Sequence, residues 1–163
     1  MNQKRDLANL LKKQGDVHGA NRMLRELLAS SRANLGPGHR LTIDLMRNLE
    51  SLLEKSGETV EAEALARETA EAMRTALPVG HWRHAEIESN HGWCLLTLGR
   101  HEEAEALLRQ SHDTLSTALI EGHPRTRRIL LRLVTLYEDW SKPKQAAHYQ
   151  ALLDSSSHAD KPH

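Results

Sequence analysis

Apolar residues along the chain recur at helical spacing and break off at regular intervals. In the stretch RLTIDLMRNLESLLEKSG, Leu41, Leu45, Leu49, Leu52 and Leu53 fall on one face of a 3.6-residue period. Gly57 then ends the run, and a second amphipathic stretch, ETVEAEALARETAEAMRTAL, continues up to Pro78 and Gly80. The same two-stroke pattern repeats along the chain. It predicts helices over 2–14, 17–34, 39–56, 59–76, 81–98, 101–118, 123–140 and 143–154. Pro143 falls in the first turn of the last one, where its missing N–H costs nothing. No segment alternates with the two-residue period of a strand.

The pattern is a true repeat with a period of 42 residues. Gly15, Gly57 and Gly99 share that spacing, and Ser141 continues the series. So do Ala20, Ala62, Ala104 and Ala146, then Met23, Leu65, Leu107 and Tyr149. Leu35, Leu77 and Leu119 make another set, as do His39, His81 and His123, and Leu45, Ile87 and Ile129. The expected units are 1–36, 37–78, 79–120 and 121–154, forming one repeat domain, followed by a disordered polar tail over 155–163. Stepping back one period from His39 leads to a position before Met1, so the first helix reads as clipped and the parent protein as longer.

A glycine at the helix turn followed by alanine five residues on, as in GRHEEAEALLRQS, resembles the tetratricopeptide repeat (TPR). The 42-residue length and the Leu35-Gly36-Pro37-Gly38-His39 loop resemble the longer repeats of kinesin light chains. Residues 77–153 also resemble the C-terminal repeats of some bacterial serine/threonine protein kinases, although no kinase motif is present. The resemblance implies an all-α solenoid of four helix-turn-helix units coiled as a right-handed superhelix. It further implies a module that binds a peptide or protein partner along the first helices of its units.

Carried over residue by residue, the resemblance places Asn48 and Asn90 where an asparagine holds the backbone of a bound peptide; Asp6 and Arg132 are their counterparts in the outer units. An amide can donate and accept at once, which suits a peptide backbone. One turn on lie Asn9, Ser51, Trp93 and Thr135, and beside the stripe lie Arg5, Arg47, Ser89, Asp44, Glu86 and Arg128. The expected peptide-binding set is Asn48, Asn90, Trp93, Arg132, Arg47, Ser51 and Arg128. The arginines favour an acidic or carboxylate-bearing ligand, because a guanidinium meets a carboxylate through two parallel bonds.

Composition narrows the remaining choices. Lys plus Arg equals Asp plus Glu at 22 each, which speaks against general nucleic-acid binding. No apolar run is long enough for a membrane span, and the first residues carry no leader-like apolar core. The single cysteine, Cys94, forbids an internal disulfide and fits a cytoplasmic, reducing setting; in register it replaces core leucines. Eleven histidines raise a metal-enzyme alternative, with His81 and His84 spaced i,i+3. His39, His81 and His123 recur with the repeat, however, which assigns them to the loop between units. The reading is therefore non-catalytic and without cofactor. A second alternative is self-association, through a clipped N-terminal end that exposes Leu7, Leu10 and Leu11.

Overall fold

The computed structural model describes Leu7, Leu10, Leu11 and residues 13–78, 80–120 and 122–158. It is all-α, with no strand among the described residues. Its helices are α1 (Val17–Leu35), α2 (Arg40–Ser56), α3 (Thr59–Ala76), α4 (Trp82–Thr97), α5 (His101–Ala118), α6 (Pro124–Asp139) and α7 (Pro143–His158). The expected helix 2–14 is helical at Leu7, Leu10, Leu11, Lys13 and Gln14; the rest of it lies outside the described residues. Contacts divide the chain into two compact units, Met1–Pro78 and Val79–His163.

In the first unit α2 packs between α1 and α3; in the second, α5 packs on α4, α6 on α5 and α7 on α6. The alanine series sits at these crossings. Ala20, Ala62 and Ala104 have no exposed surface and Ala146 only 7%. A methyl there lets each second helix settle closely on its neighbour. Leu45, Ile87 and Ile129 are buried to 1% and supply the first-helix side of the core. In the second unit the core runs through Ala85, Leu95, Ala104, Leu108, Leu115, Ile129, Leu133, Leu136 and Tyr137. Gly92 lets α5 approach α4 closely: a Cβ there would stand 3.0 Å from Leu108 Cγ and 3.3 Å from Leu107 Cβ. The Leu107 register is the shallower of the two adjacent positions, since Leu107 is half-buried while Leu108 is fully buried.

Turns close as the period predicts. Gly57 adopts φ 79°, and its N–H reaches the Leu53 and Glu54 carbonyls. Ser141 continues the glycine series and takes the left-handed conformation itself, at φ 56°. A side chain in that region crowds its own carbonyl, so the last turn is formed at a conformational cost.

Two features depart from the sequence reading. The last helix reaches His158 instead of stopping at 154, so residues 155–158 are not tail. The Ser155 and Ser156 hydroxyls donate to the Leu152 and Leu153 carbonyls, which lets polar residues ride on a helix end, and Ser156 is itself buried. The tail expected beyond His158 lies outside the described residues. Second, α1 and α3 are tied by exposed ion pairs, Arg25 to Glu61 at 2.6 Å and Arg32 to Glu68 at 2.7 Å. The Arg25 guanidinium lowers the Glu61 carboxyl below its ordinary range. Pairs this exposed contribute on the order of 0.2–1 kcal/mol each.

Two stability predictions follow from this packing. Leu108→Ala removes a fully buried side chain and should cost about 2–5 kcal/mol in urea denaturation, whereas Val60→Ala, at a largely exposed site, should stay within about 0.5 kcal/mol. Ser141→Gly should stabilise the chain by about 0.5–1 kcal/mol through relief of the left-handed turn, and a fall in the urea midpoint would refute that account.

Candidate functional site

The recurring histidines come first, because they set the starts of α2, α4 and α6. Each of His39, His81 and His123 is an N-cap. The backbone N–H of Leu41, Arg83 and Arg125 donates to the respective Nδ1 at 3.2, 3.2 and 3.1 Å. A helix start leaves N–H groups without partners, and an acceptor two residues upstream satisfies one of them. His81, one of the two histidines considered as a metal chelate, thus has Nδ1 engaged with backbone, and its ring stacks on Trp82 at 5.6 Å.

With their starts aligned, α4 and α6 in the second unit present matching side chains to each other. Arg132 Nη1 donates to Ser89 Oγ at 2.8 Å and to Asn90 Oδ1 at 3.0 Å. Its guanidinium lies 5.7 Å from the centre of the Trp93 ring. Lower on the same face, Arg128 Nη2 approaches Glu86 Oε1 at 3.3 Å, and Arg125 Nε approaches the same oxygen at 3.5 Å. Arg125 also covers the Trp82 ring at 4.7 Å. The face is therefore a ladder: tryptophan under arginine at each end, and one carboxylate between two arginines in the middle. Stacking on an aromatic face holds a guanidinium while leaving N–H donors at its edge.

Four of the seven expected contact residues, Asn90, Trp93, Arg128 and Arg132, come together here. The other three, Arg47, Asn48 and Ser51, lie half-buried along α2 in the first unit. Their counterparts Arg5, Asp6 and Asn9 lie outside the described residues. Arg125 was missed by the sequence reading, although its position, one turn before Arg128 on the same helix, was a usable signal. Trp82 belongs to this ladder through Arg125. Trp140 packs elsewhere, between the His101 ring at 5.4 Å and the Lys142 ammonium at 3.1 Å. Cys94 is fully buried, as its register requires.

Tyr137 marks the opposite side of α6. Its hydroxyl donates to Glu105 Oε1 at 2.6 Å, and its ring stacks on Tyr149 at 5.5 Å. Burial raises the phenol well above its ordinary range, and the Glu105 carboxylate adds to the effect. The hydroxyl therefore acts as a standing donor that locks α5 to α6.

Comparison with known proteins agrees with this fold. A tetratricopeptide-repeat family model matches residues 2–75, and a second tetratricopeptide-repeat model matches residues 85–110. No curated protein matches the chain significantly in sequence. Among solved structures, two crystal structures of the "nearly identical TPR-like repeats" of a Podosopora anserina kinesin light chain, one of them a point variant, superpose with TM-scores of 0.86 and 0.84. Each is 17% identical, over 99% of this chain and 76% of that one. BtubC (BKLC) from P. vanneervenii superposes with a TM-score of 0.83 at 16% identity, over 96% of this chain and 64% of that one. At these identities the likeness establishes the fold. No helix among the described residues is long and apolar enough to cross a membrane.

The histidine caps yield one prediction. His123→Ala should cost about 0.5–2 kcal/mol, and His123→Asp, which restores an acceptor at the cap, should recover most of it in thermal melts. Equal losses in both variants would mean that the ring acts by packing alone.

Repeats of this kind mediate protein–protein interactions. With two of its family models together matching more than half of the length, and the same helix-pair fold in the solved relatives, the chain belongs to the tetratricopeptide-repeat proteins and is kinesin-light-chain-like in fold.

Proposed function

We propose that this protein is a docking module that binds an extended, carboxylate-bearing peptide along the first helices of its repeats. Arg128, Arg132, Asn90 and Trp93 make the contacts in the second unit, and Arg47, Asn48 and Ser51 are the equivalent set on α2 in the first. The observation that carries this reading is the Arg132 cluster. Because Asn90 Oδ1 accepts from Arg132, the amide hydrogens of Asn90 point away from that bond and toward an incoming backbone carbonyl. Arg132 in turn lies over the Trp93 ring, so its guanidinium is held in place before a ligand arrives. Trp93, half-buried, offers an apolar wall beside them.

In a longer parent protein such a module would serve as a regulatory segment, in keeping with the resemblance of residues 77–153 to kinase C-terminal repeats. A reducing, cytoplasmic setting suits its single buried cysteine. Self-association is a second reading, favoured by the exposure of Leu7 at 44% and Leu10 at 48%. A concentration-dependent rise in light-scattering mass that Leu10→Glu abolishes would support it.

The test of the main reading is fluorescence anisotropy with acidic peptides selected on an array. Affinity should lie in the micromolar range, about 8 kcal/mol. Asn90→Ala and Arg132→Ala should each weaken it by about tenfold, or about 1.4 kcal/mol, and added salt should weaken it further. Undiminished binding in both variants would place the ligand away from this face.

A further inference from the structure

The way α4 receives α6 shows what α6 itself can receive. On α4, the carboxylate of Glu86 meets two arginines of the next first helix, Arg125 and Arg128. One period on, the residue in the place of Glu86 is Arg128, and the residue in the place of Ser89 is Leu131. The corresponding strip of α6 is thus Pro124, Arg128, Leu131 and Thr135. Its charge is reversed, and it has an apolar residue where the earlier strip has a hydroxyl.

The charge is one-sided along the helix. From Gly122 to Tyr137 the sequence holds Arg125, Arg127, Arg128 and Arg132 and not one carboxylate. The first turn of α6 carries no acidic residue to offset the positive helix end. Leu131 is 52% exposed in the middle of this field, and Arg128 is 48% exposed. Arginines gathered at the positive end of a helix work against the helix itself; the single Glu86 carboxylate is shared by Arg125 and Arg128, so further negative charge across this face is favourable.

We infer that this strip of α6 docks an acidic amphipathic helix of a partner protein, seated as one more first helix in the repeat order. The register follows from the chain's own seam. Carboxylates at i, i+3 and i+7 of the partner would take the places that Arg125, Arg128 and Arg132 take on α6. A small residue between them would cover Leu131. The inference deepens the docking role proposed above, since it names the secondary structure and charge spacing of a ligand. The two sites share Arg128 and Arg132; Leu131 belongs to the helix strip alone, and Asn90 and Trp93 belong to the extended-peptide site.

The probe is a fluorescein-labelled, helix-stapled peptide with glutamates at i, i+3 and i+7 and alanines between, titrated into the full chain. A control peptide has the same composition and a central proline in place of the staple. The stapled peptide should bind at least about tenfold more tightly than the proline control. Leu131→Asp should lower its affinity by about tenfold or more, with the melting temperature unchanged because the side chain is half exposed, and Val60→Ala, at an exposed position on α3, should leave it intact. Equal affinity for the proline control, or indifference to Leu131→Asp, overturns the inference. If Asn90→Ala and Arg132→Ala weaken extended acidic peptides while Leu131→Asp leaves the stapled peptide unaffected, the extended-peptide reading stands and the helix dock falls.

Discussion

The spacing between the two helices of each repeat depends on a single methyl group. Ala20, Ala62, Ala104 and Ala146 lie near the start of the second helices, and all four are buried. A larger side chain at any of them would hold the helices apart and leave Leu45, Ile87 and Ile129 facing a gap. Close-packed interiors tolerate little such misfit. Gly92 carries the same constraint further at α4 and α5, where the approach leaves barely room for a Cβ. Because the crossing recurs every 42 residues, the remaining side chains are brought into register by translation.

Helix ends are the second requirement of that translation. α2, α4 and α6 each start at a histidine whose Nδ1 takes a backbone N–H, and the turn before each second helix closes on a left-handed residue. Three imidazoles in the same cap geometry mean that successive first helices begin at equivalent points. Side chains one period apart then come to lie side by side, as Glu86 does with Arg128 and Asn90 with Arg132.

That alignment turns a stripe of polar residues into a prepared surface. Arg132 is held by Ser89, Asn90 and the Trp93 ring, and Arg125 by Glu86 and the Trp82 ring. Long side chains lose much conformational freedom on binding, and holding them in place beforehand removes part of that cost. The balance of charge is local: the whole chain is neutral, while α6 is basic over most of its length. Whole-chain charge therefore speaks against general nucleic-acid affinity and says nothing against a basic docking face.

Much of the fold was legible in the chain, because its signals are local or periodic. The 42-residue period placed the helices to within a few residues, assigned the four alanines and Cys94 to buried positions, and tied the histidines to the repeat. The tetratricopeptide resemblance, carried along the period, also pointed to Asn90, Trp93, Arg128 and Arg132, which lie together on α4 and α6. Only the tertiary structure decided what those residues do to one another. That Arg132 takes up the Asn90 oxygen, that Glu86 is shared by two arginines, and that a histidine nitrogen caps a helix all depend on rotamers and distances of about 3 Å. The depth of Leu108 relative to Leu107 is of the same kind, and so is the run of α7 to His158 through its serines. Periodicity assigns a residue to a face of its helix, whereas a hydrogen bond or a close contact is settled by the last ångström between two helices, which no pattern within one helix records.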